Sequence, residues 1–323
     1  MAAQPASTHP NKPMLGIMLT LVAYLFFSIV DASAKWLVLT GLPVLQVVFI
    51  RYTGHFLISF GIMFRGGLDW RKLSTRQPGL VILRSILLLF GTVTNFMALQ
   101  YLPLTLTSAI MFSAPVFVCL LSGPLLGERV GIWRWGAIWL GFVGVLVAIR
   151  PFDESFHWAM GLSLVSVFAY SLYLILTRKL SNAIPTHILQ FYGGAVGTCV
   201  LFPFVMGGWL NPVGSVDWVA MILLGLFGWS GHEVLIRAFR VAEASRLTPF
   251  SYVMLLYMTI WSVVLFNDFP DIWTVAGATI IVSAGLVIWV RERRQAMKAK
   301  EVKATDMKTA PVKAVTAEFE SDS

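Results

Sequence analysis

Ten apolar runs, each about twenty residues long and so able to cross a hydrocarbon core of about 30 Å as helix, leave this chain few architectures. They fall near residues 14–36, 43–64, 79–100, 102–123, 131–150, 158–179, 185–208, 216–237, 246–266 and 271–290. Gly41 and Pro43, Gly66 and Gly67, Pro103, Gly127, Pro151, Pro185, Asn211 with Pro212, and Pro270 punctuate them, as helix ends require. Only 12% of the 323 residues are charged and 57% are hydrophobic, whereas soluble domains carry about 25% charge. In water such a chain would need one enormous core. In lipid the scarcity of charge is a requirement, because ionisable groups are costly there. The expected fold is an all-α membrane protein of ten transmembrane helices.

The weakest break is Gln100–Pro103, and the loop charges decide whether it counts. With ten helices and a cytoplasmic N-terminus, the inner loops hold Arg65, Arg71, Lys72 and Arg76, then Arg129 and Arg134. They also hold Arg178 and Lys179, then Arg237, Arg240 and Arg246. The outer loops hold only Arg150, with Lys35 near the outer end of the first helix. Basic residues favour the cytoplasmic side during insertion, and omitting one helix scrambles the alternation. Both termini are therefore expected inside. Residues 1–13 form a short polar segment, and 14–39 is too long for a signal-peptide core. The tail after Trp289 opens on Arg291, Arg293 and Arg294 as a juxtamembrane stop, and 293–323 reads as a basic, disordered segment suited to anionic lipid.

The net charge of +8 forms no continuous basic face and no nucleic-acid motif, so a nucleic-acid partner is not expected. Cys119 and Cys199 lie apart in apolar runs with no metal spacing. No cofactor or metal is expected.

The halves resemble each other. An offset of 140 residues lays Ala98 on Ala238, Gly127-Glu128 on Asn267-Asp268, Ile132-Trp133 on Ile272-Trp273, and Gly136 and Gly144 on Ala276 and Ala284. With slightly different offsets Leu45-Gln46 matches Leu189-Gln190 and Ala23-Tyr24 matches Ala169-Tyr170. Five helices per half means that the second half enters the membrane upside down. Inverted repeats are common in secondary transporters, where the halves enclose a site near the midplane and rock to expose it alternately.

The stretch from Ala98 to Pro103, through Ser113-Ala114-Pro115, to Gly127-Glu128-Arg129 and Gly141 to Gly144 resembles the EamA repeat of the drug/metabolite transporter superfamily. A second copy is similar in Gly231-His232-Glu233, Ile236 to Phe239 and Ala242 to Pro249. It departs from the first where Pro115 becomes Leu255 and Gly127-Glu128 becomes Asn267-Asp268. The resemblance implies two inverted five-helix EamA repeats, 14–151 and 157–292. It also implies transport of a small organic metabolite across the bacterial inner membrane.

Ionisable residues inside spans are functional candidates. At a rise of about 1.5 Å per residue, Asp31 lies roughly 25 Å from the inner start of helix 1 and Arg51 roughly 12 Å from the outer end of helix 2. An Asp31–Arg51 pair is reasonable, either as a structural tie or as a contact to a charged substrate, with Lys35 competing for Asp31. Arg84 and Glu233, toward the inner ends of helices 3 and 8, can pair as a gate, or Arg84 can snorkel to the interface. His55 and His232 can couple transport to protons, or be satisfied by backbone carbonyls. The amides Gln46, Asn95 and Gln190 and the aromatics Tyr170, Tyr252 and Trp229 suit a flat, polar, ring-containing ligand. Trp133, Trp135, Trp218 and Trp273 read as interface anchors. The stripes Ala137, Gly141, Gly144, Ala148 and Ala276, Gly277, Ala284, Gly285 let helices approach closely, within one chain or at a homodimer face.

A membrane enzyme would gather nucleophile, acid–base or metal groups at one depth, and a channel would show a filter loop or charge ring. Neither pattern is visible, and a transporter accounts for what is. The inventory points first to a vitamin such as riboflavin, taken up. The alternatives are export of amino acids or drugs, and transport of S-adenosylmethionine, whose cation would be expected to meet Asp31.

Overall fold

The structure is a computed structural model that describes residues 13–65, 77–126, 132–150, 156–181, 183–241, 247–287 and 289–291, with isolated positions 75, 294 and 297. Outside these lie residues 1–12, the loop charges Arg71, Lys72, Arg76, Arg129 and Arg246, the Gly127-Glu128-Arg129 motif, and all but two positions of the tail expected to be disordered.

All regular structure among the described residues is helical. The helices are α1 (Pro13–Leu39), α2 (Val44–Met63), α3 (Pro78–Leu99), α4 (Leu104–Met111), α5 (Ala114–Leu126), α6 (Ile132–Ile149), α7 (Ala159–Ser181), α8 (Thr186–Met206) and α9 (Ser215–Val241). A 3-10 turn, Thr248–Tyr252, then leads into α10 (Val253–Phe266), and α11 spans Ile272–Arg291. Among the described residues seven helices (α1, α2, α3, α7, α8, α9 and α11) are long and apolar enough to cross a membrane, and three shorter apolar helices cover 104–118, 138–149 and 250–266.

Two expected spans are not continuous helices. The run 102–123 breaks at Phe112-Ser113 between α4 and α5, and the run 246–266 changes from 3-10 to α-helix at Tyr252-Val253. A proline lies at each, and it lacks the amide that continues a helical ladder and is best accommodated in a first turn. Pro115 is the second residue of α5, and Pro249 stands in the first turn of the 3-10 segment. Under the 140-residue offset Phe112 and Tyr252 are equivalent positions, and their rings meet with centroids 5.3 Å apart. The two breaks therefore face each other.

The same correspondence organises the packing. α1 packs along α9 as α7 packs along α3, and α2 packs along α8. Exchanging each span with the one five later maps these contacts onto one another. The equivalent glycines Gly91 and Gly231 serve equivalent interfaces. A Cβ at Gly91 would meet Ser166 and Ala169 of α7 at 3.4–3.6 Å, and one at Gly231 would lie 2.6 Å from the Phe27 ring of α1.

Helix crossings are closest where side chains vanish. A Cβ on Gly54 of α2 would lie 2.5 Å from the Gly225 Cα of α9, and a Cβ on Gly194 of α8 would lie 2.8 Å from the Phe56 backbone. The stripes on α6 and α11 are consumed the same way, with Gly277 against Ala148 and the Gly144 carbonyl. In lipid no hydrophobic force drives helices together, so close backbone approach and van der Waals contact must do so.

The exterior is apolar. Trp139, Phe204, Ile222 and Val264 are each more than 60% exposed, and Trp135, Trp218 and Trp273 are also exposed, as anchors must be. Hydroxyls turn inward and bond to their own helix: Ser85 to the Val81 carbonyl at 2.9 Å and Ser171 to that of Val167 at 2.8 Å. Ser166 reaches across to the Gly91 carbonyl at 2.7 Å, bridging α7 to α3. Polar groups inside and bulky apolar groups outside describe a multi-pass membrane protein.

At the end of the bundle where α1 terminates, polar links join the halves. Lys35 Nζ meets Asp268 Oδ2 at 2.7 Å and Arg150 Nη2 meets Asp271 Oδ2 at 2.6 Å. Trp36 Nε1 donates to Asp217 Oδ1 at 2.9 Å. Lys35, expected to compete for Asp31, is committed here and also lies 4.7 Å from the Phe266 ring centre.

Replacing Gly54 with Val forces α2 and α9 apart and should cost about 1–3 kcal/mol. Gly79→Ala, where nothing lies within 4 Å of the added carbon, should leave the melting temperature in detergent near that of the parent. Equal melting temperatures for Gly54→Val and the parent would show that the crossing does not bear on stability.

Candidate functional site

Polar side chains from α1, α2, α3 and α7 meet at the middle of the bundle. Arg51 Nη1 donates to Thr92 Oγ1 at 2.8 Å, and the Tyr52 hydroxyl lies 3.0 Å from the same oxygen. Thr92 spends its own proton on the Leu88 carbonyl at 2.8 Å, so it accepts from both neighbours. The guanidinium lies 5.4 Å from the Tyr52 ring centre and 5.8 Å from that of Phe96. Its Nε is buried without a partner.

Asp31 is half-buried and makes no hydrogen bond among the described residues. It lies within electrostatic reach of Arg51, but the direct ion pair expected from the sequence does not form; Arg51 Nη1 bonds Thr92 instead. Around this pair stand tyrosines. Tyr170 stacks on Tyr173 at 5.6 Å and 22°, and it interacts electrostatically with Tyr24, Arg51 and Asp31. Tyr24 bonds Ser251 at the break before α10, and Tyr252 follows, its hydroxyl filling the space above Gly285.

The two histidines lie together: His55 and His232 have ring centroids 6.1 Å apart, and His232 packs edge-on to Phe27 at 4.9 Å. His55 is 9% exposed, hydrogen-bonds the Gln190 backbone and leaves Nε2 unpaired. Gln190 donates to Glu233 Oε2 at 3.3 Å while its own carbonyl oxygen has no partner.

Arg84 overturns its expectation. It neither pairs with Glu233 nor snorkels, but is 6% exposed and fully engaged by neutral acceptors. Nε donates to Thr177 Oγ1 at 2.7 Å, Nη1 to the Leu189 carbonyl at 3.1 Å and Nη2 to the Tyr173 hydroxyl at 2.9 Å, with the charge 4.5 Å from the Tyr173 ring centre. Glu233 instead takes Arg237 one turn along α9, at 3.0 Å. Arg84 thus ties α3 to α7 and α8.

The remaining candidates separate. Gln46 is 1% exposed and clamps Leu210, donating to its carbonyl at 2.6 Å and accepting from its amide at 2.9 Å, so it serves a loop. Asn95 is buried with its carbonyl oxygen unpaired. Trp229 is half-buried on α9, next to Gly228, which faces Arg51. Thr92, Thr177 and Tyr52 were not legible as site residues. Hydroxyls in helices usually bond their own backbone, and only the arginines they serve distinguish them. Among the described residues no group of three or more His, Cys, Asp or Glu can hold a metal.

Among the described residues nine buried side-chain atoms lack a partner, and four of them (Arg51 Nε, His55 Nε2, Asn95 Oδ1 and Gln190 Oε1) belong to residues expected in the site, whereas buried polar groups are nearly always paired. Arg84 has no such vacancy. Its replacement by Ala should cost at least about 2 kcal/mol of stability through the acceptors left unpaired, visible as a lowered melting temperature. A variant that melts like the parent but no longer transports would place Arg84 in the site instead.

The EamA-like transporter family matches the chain twice, at residues 14–150 and 157–290. The chain is 28% identical to an S-adenosylmethionine uptake transporter of Rickettsia prowazekii (strain Madrid E), over 86% of this chain and 94% of that protein. It is 27% identical to the pseudopaline exporter CntI of Pseudomonas aeruginosa, over 84% and 95%. It is 26% identical to a riboflavin transporter of Vibrio cholerae, over 90% and 98%. A solved crystal structure is similar with a TM-score of 0.59 at 19% identity, covering 88% of this chain and 99% of that one, a likeness of fold alone. Together with a bundle whose packing repeats between its halves around a polar centre, the two matches show that this chain belongs to the EamA-like transporter family and is a small-molecule transporter of the membrane.

Proposed function

We propose that the protein is an alternating-access secondary transporter whose substrate carries a cation and a flat ring, with S-adenosylmethionine the first compound to test. The observation that carries this reading is Asp31, a half-buried carboxylate with no hydrogen-bonding partner among the described residues, beside the Tyr170–Tyr173 stack. A carboxylate at membrane depth is costly unless it has a task, and a sulfonium or ammonium gives it one. The adenine ring suits the tyrosines, and a relative named for S-adenosylmethionine uptake supports the choice. Riboflavin is the second reading, favoured by the same rings and by the relative named for it. Export of amino acids or drugs ranks below both. A channel or enzyme gains no support from the site.

In this reading the chain has ten spans in two inverted halves, 14–151 and 157–292, with α4–α5 and the 3-10 turn–α10 unit each counted as one broken span. The chain lies in the bacterial inner membrane with both termini cytoplasmic, which the distribution of loop arginines and lysines supports. The polar centre is then exposed to either side as the halves rock.

Asp31→Ala and Asn95→Ala should each abolish uptake of labelled S-adenosylmethionine into proteoliposomes, with membrane insertion unchanged. Transport at the parent rate in both variants removes these residues from the site. Uptake of riboflavin but not of S-adenosylmethionine by the parent replaces the first reading with the second.

A further inference from the structure

Arg51, which Thr92 and Tyr52 engage on one side, keeps its Nε buried and without a partner. Its Nη1 is pinned by Thr92 at 2.8 Å, and Tyr52 and the Leu88 carbonyl in turn hold Thr92, at 3.0 and 2.8 Å. These contacts hold that nitrogen on α3. What remains is the Nε–Nη2 edge, two parallel N–H groups spaced for the two oxygens of a carboxylate. Nε has no partner, although it is buried.

The wall opposite this edge is bare. Gly228 of α9 faces it, and a Cβ built there would lie 3.6 Å from Arg51 Nε and Cγ, with nothing else within 4 Å. A small space is thus left open beside Nε, a guanidinium nitrogen that lacks an acceptor. Asp31 is the nearby carboxylate, and it does not take the position. Lys35, Arg84 and Glu233, the other charged groups expected in this region, are each committed elsewhere.

We infer that the Nε–Nη2 edge of Arg51 binds a carboxylate of the substrate, so that the transported molecule is a zwitterion whose cation faces Asp31 and whose carboxylate faces Arg51. This rests on the reading of the site as a substrate cavity and narrows its substrate class to amino-acid-bearing metabolites. Thr92 is a positioning residue: it touches no substrate and fixes which edge of the guanidinium is offered.

The experiment compares S-adenosylmethionine with its decarboxylated form, which keeps the sulfonium, amine and ring but has no carboxylate. Riboflavin is the third probe, and binding is measured to the purified full-length protein in nanodiscs. The parent should bind the acid about 10- to 100-fold more tightly than the decarboxylated compound, the range expected of a charge-assisted pair. Arg51→Gln should erase that difference, with a melting temperature close to the parent's showing that the variant is folded. Thr92→Val should narrow the preference, and Thr92→Ser, which keeps the acceptor, should restore it. Equal binding of both compounds by the parent overturns the inference. So does a preference that survives Arg51→Gln, or a uniform loss with both ligands in that variant, while the substrate-cavity reading survives these results. Binding of riboflavin alone, or of no probe at millimolar concentration, overturns that reading and the inference with it.

Discussion

Hydrocarbon offers no partner to a polar group, and this constraint shapes the whole molecule. Backbone groups must be satisfied within helices, so the chain is a bundle of them. Helices must then be held together without a hydrophobic force, so the closest contacts fall on glycine: Gly54 on Gly225, Gly194 on Phe56, Gly277 on Ala148. Side-chain charge must be paired, solvated or employed. Lys35 and Arg150 are paired at one end of the bundle, and Arg84 is wrapped in neutral acceptors. Arg51 and Asp31 are left with capacity unused, and they are the two that share the tyrosine-lined centre.

The duplication gives that centre its position. Contacts between α1 and α9 recur between α7 and α3, and the two broken segments bring Phe112 and Tyr252 into contact. A broken helix is tolerated at membrane depth only where protein or a cavity covers it, and here each break covers the other. The halves have nonetheless diverged. Equivalent frames carry Tyr24 and Tyr170 on both sides, whereas Asp31 and Arg51 belong to the first half alone. A near-symmetric frame around an asymmetric set of charges can rock as a symmetric machine while holding its substrate in one orientation.

Much of the frame was legible in the sequence because hydropathy and glycine placement are local signals. The small-residue stripes of α6 and α11 read directly as close packing. The breaks were not read, although Pro115 and Pro249 carried them, because an apolar run of twenty residues looks continuous to a count of hydropathy. The site was legible in its members and not in its pairings. Charge invites a search for opposite charge, so Arg84 was matched to Glu233 when Thr177, Tyr173 and a backbone carbonyl satisfy it. Lys35 was weighed against Asp31 when its partner, Asp268, stands in a loop more than two hundred residues away. Gln46 looked like a ligand contact because an amide in a span is uncommon, yet it clamps a loop at Leu210.

The central claim is that the tyrosine-lined centre is reached from both sides of the membrane in turn. A single cysteine at position 170, with Cys119 and Cys199 replaced by Ser, can be challenged with a membrane-impermeant thiol reagent from either face of oriented vesicles. The account predicts labelling from both faces, each suppressed by saturating substrate. Labelling from neither face, or from one face at a rate substrate does not change, would contradict it.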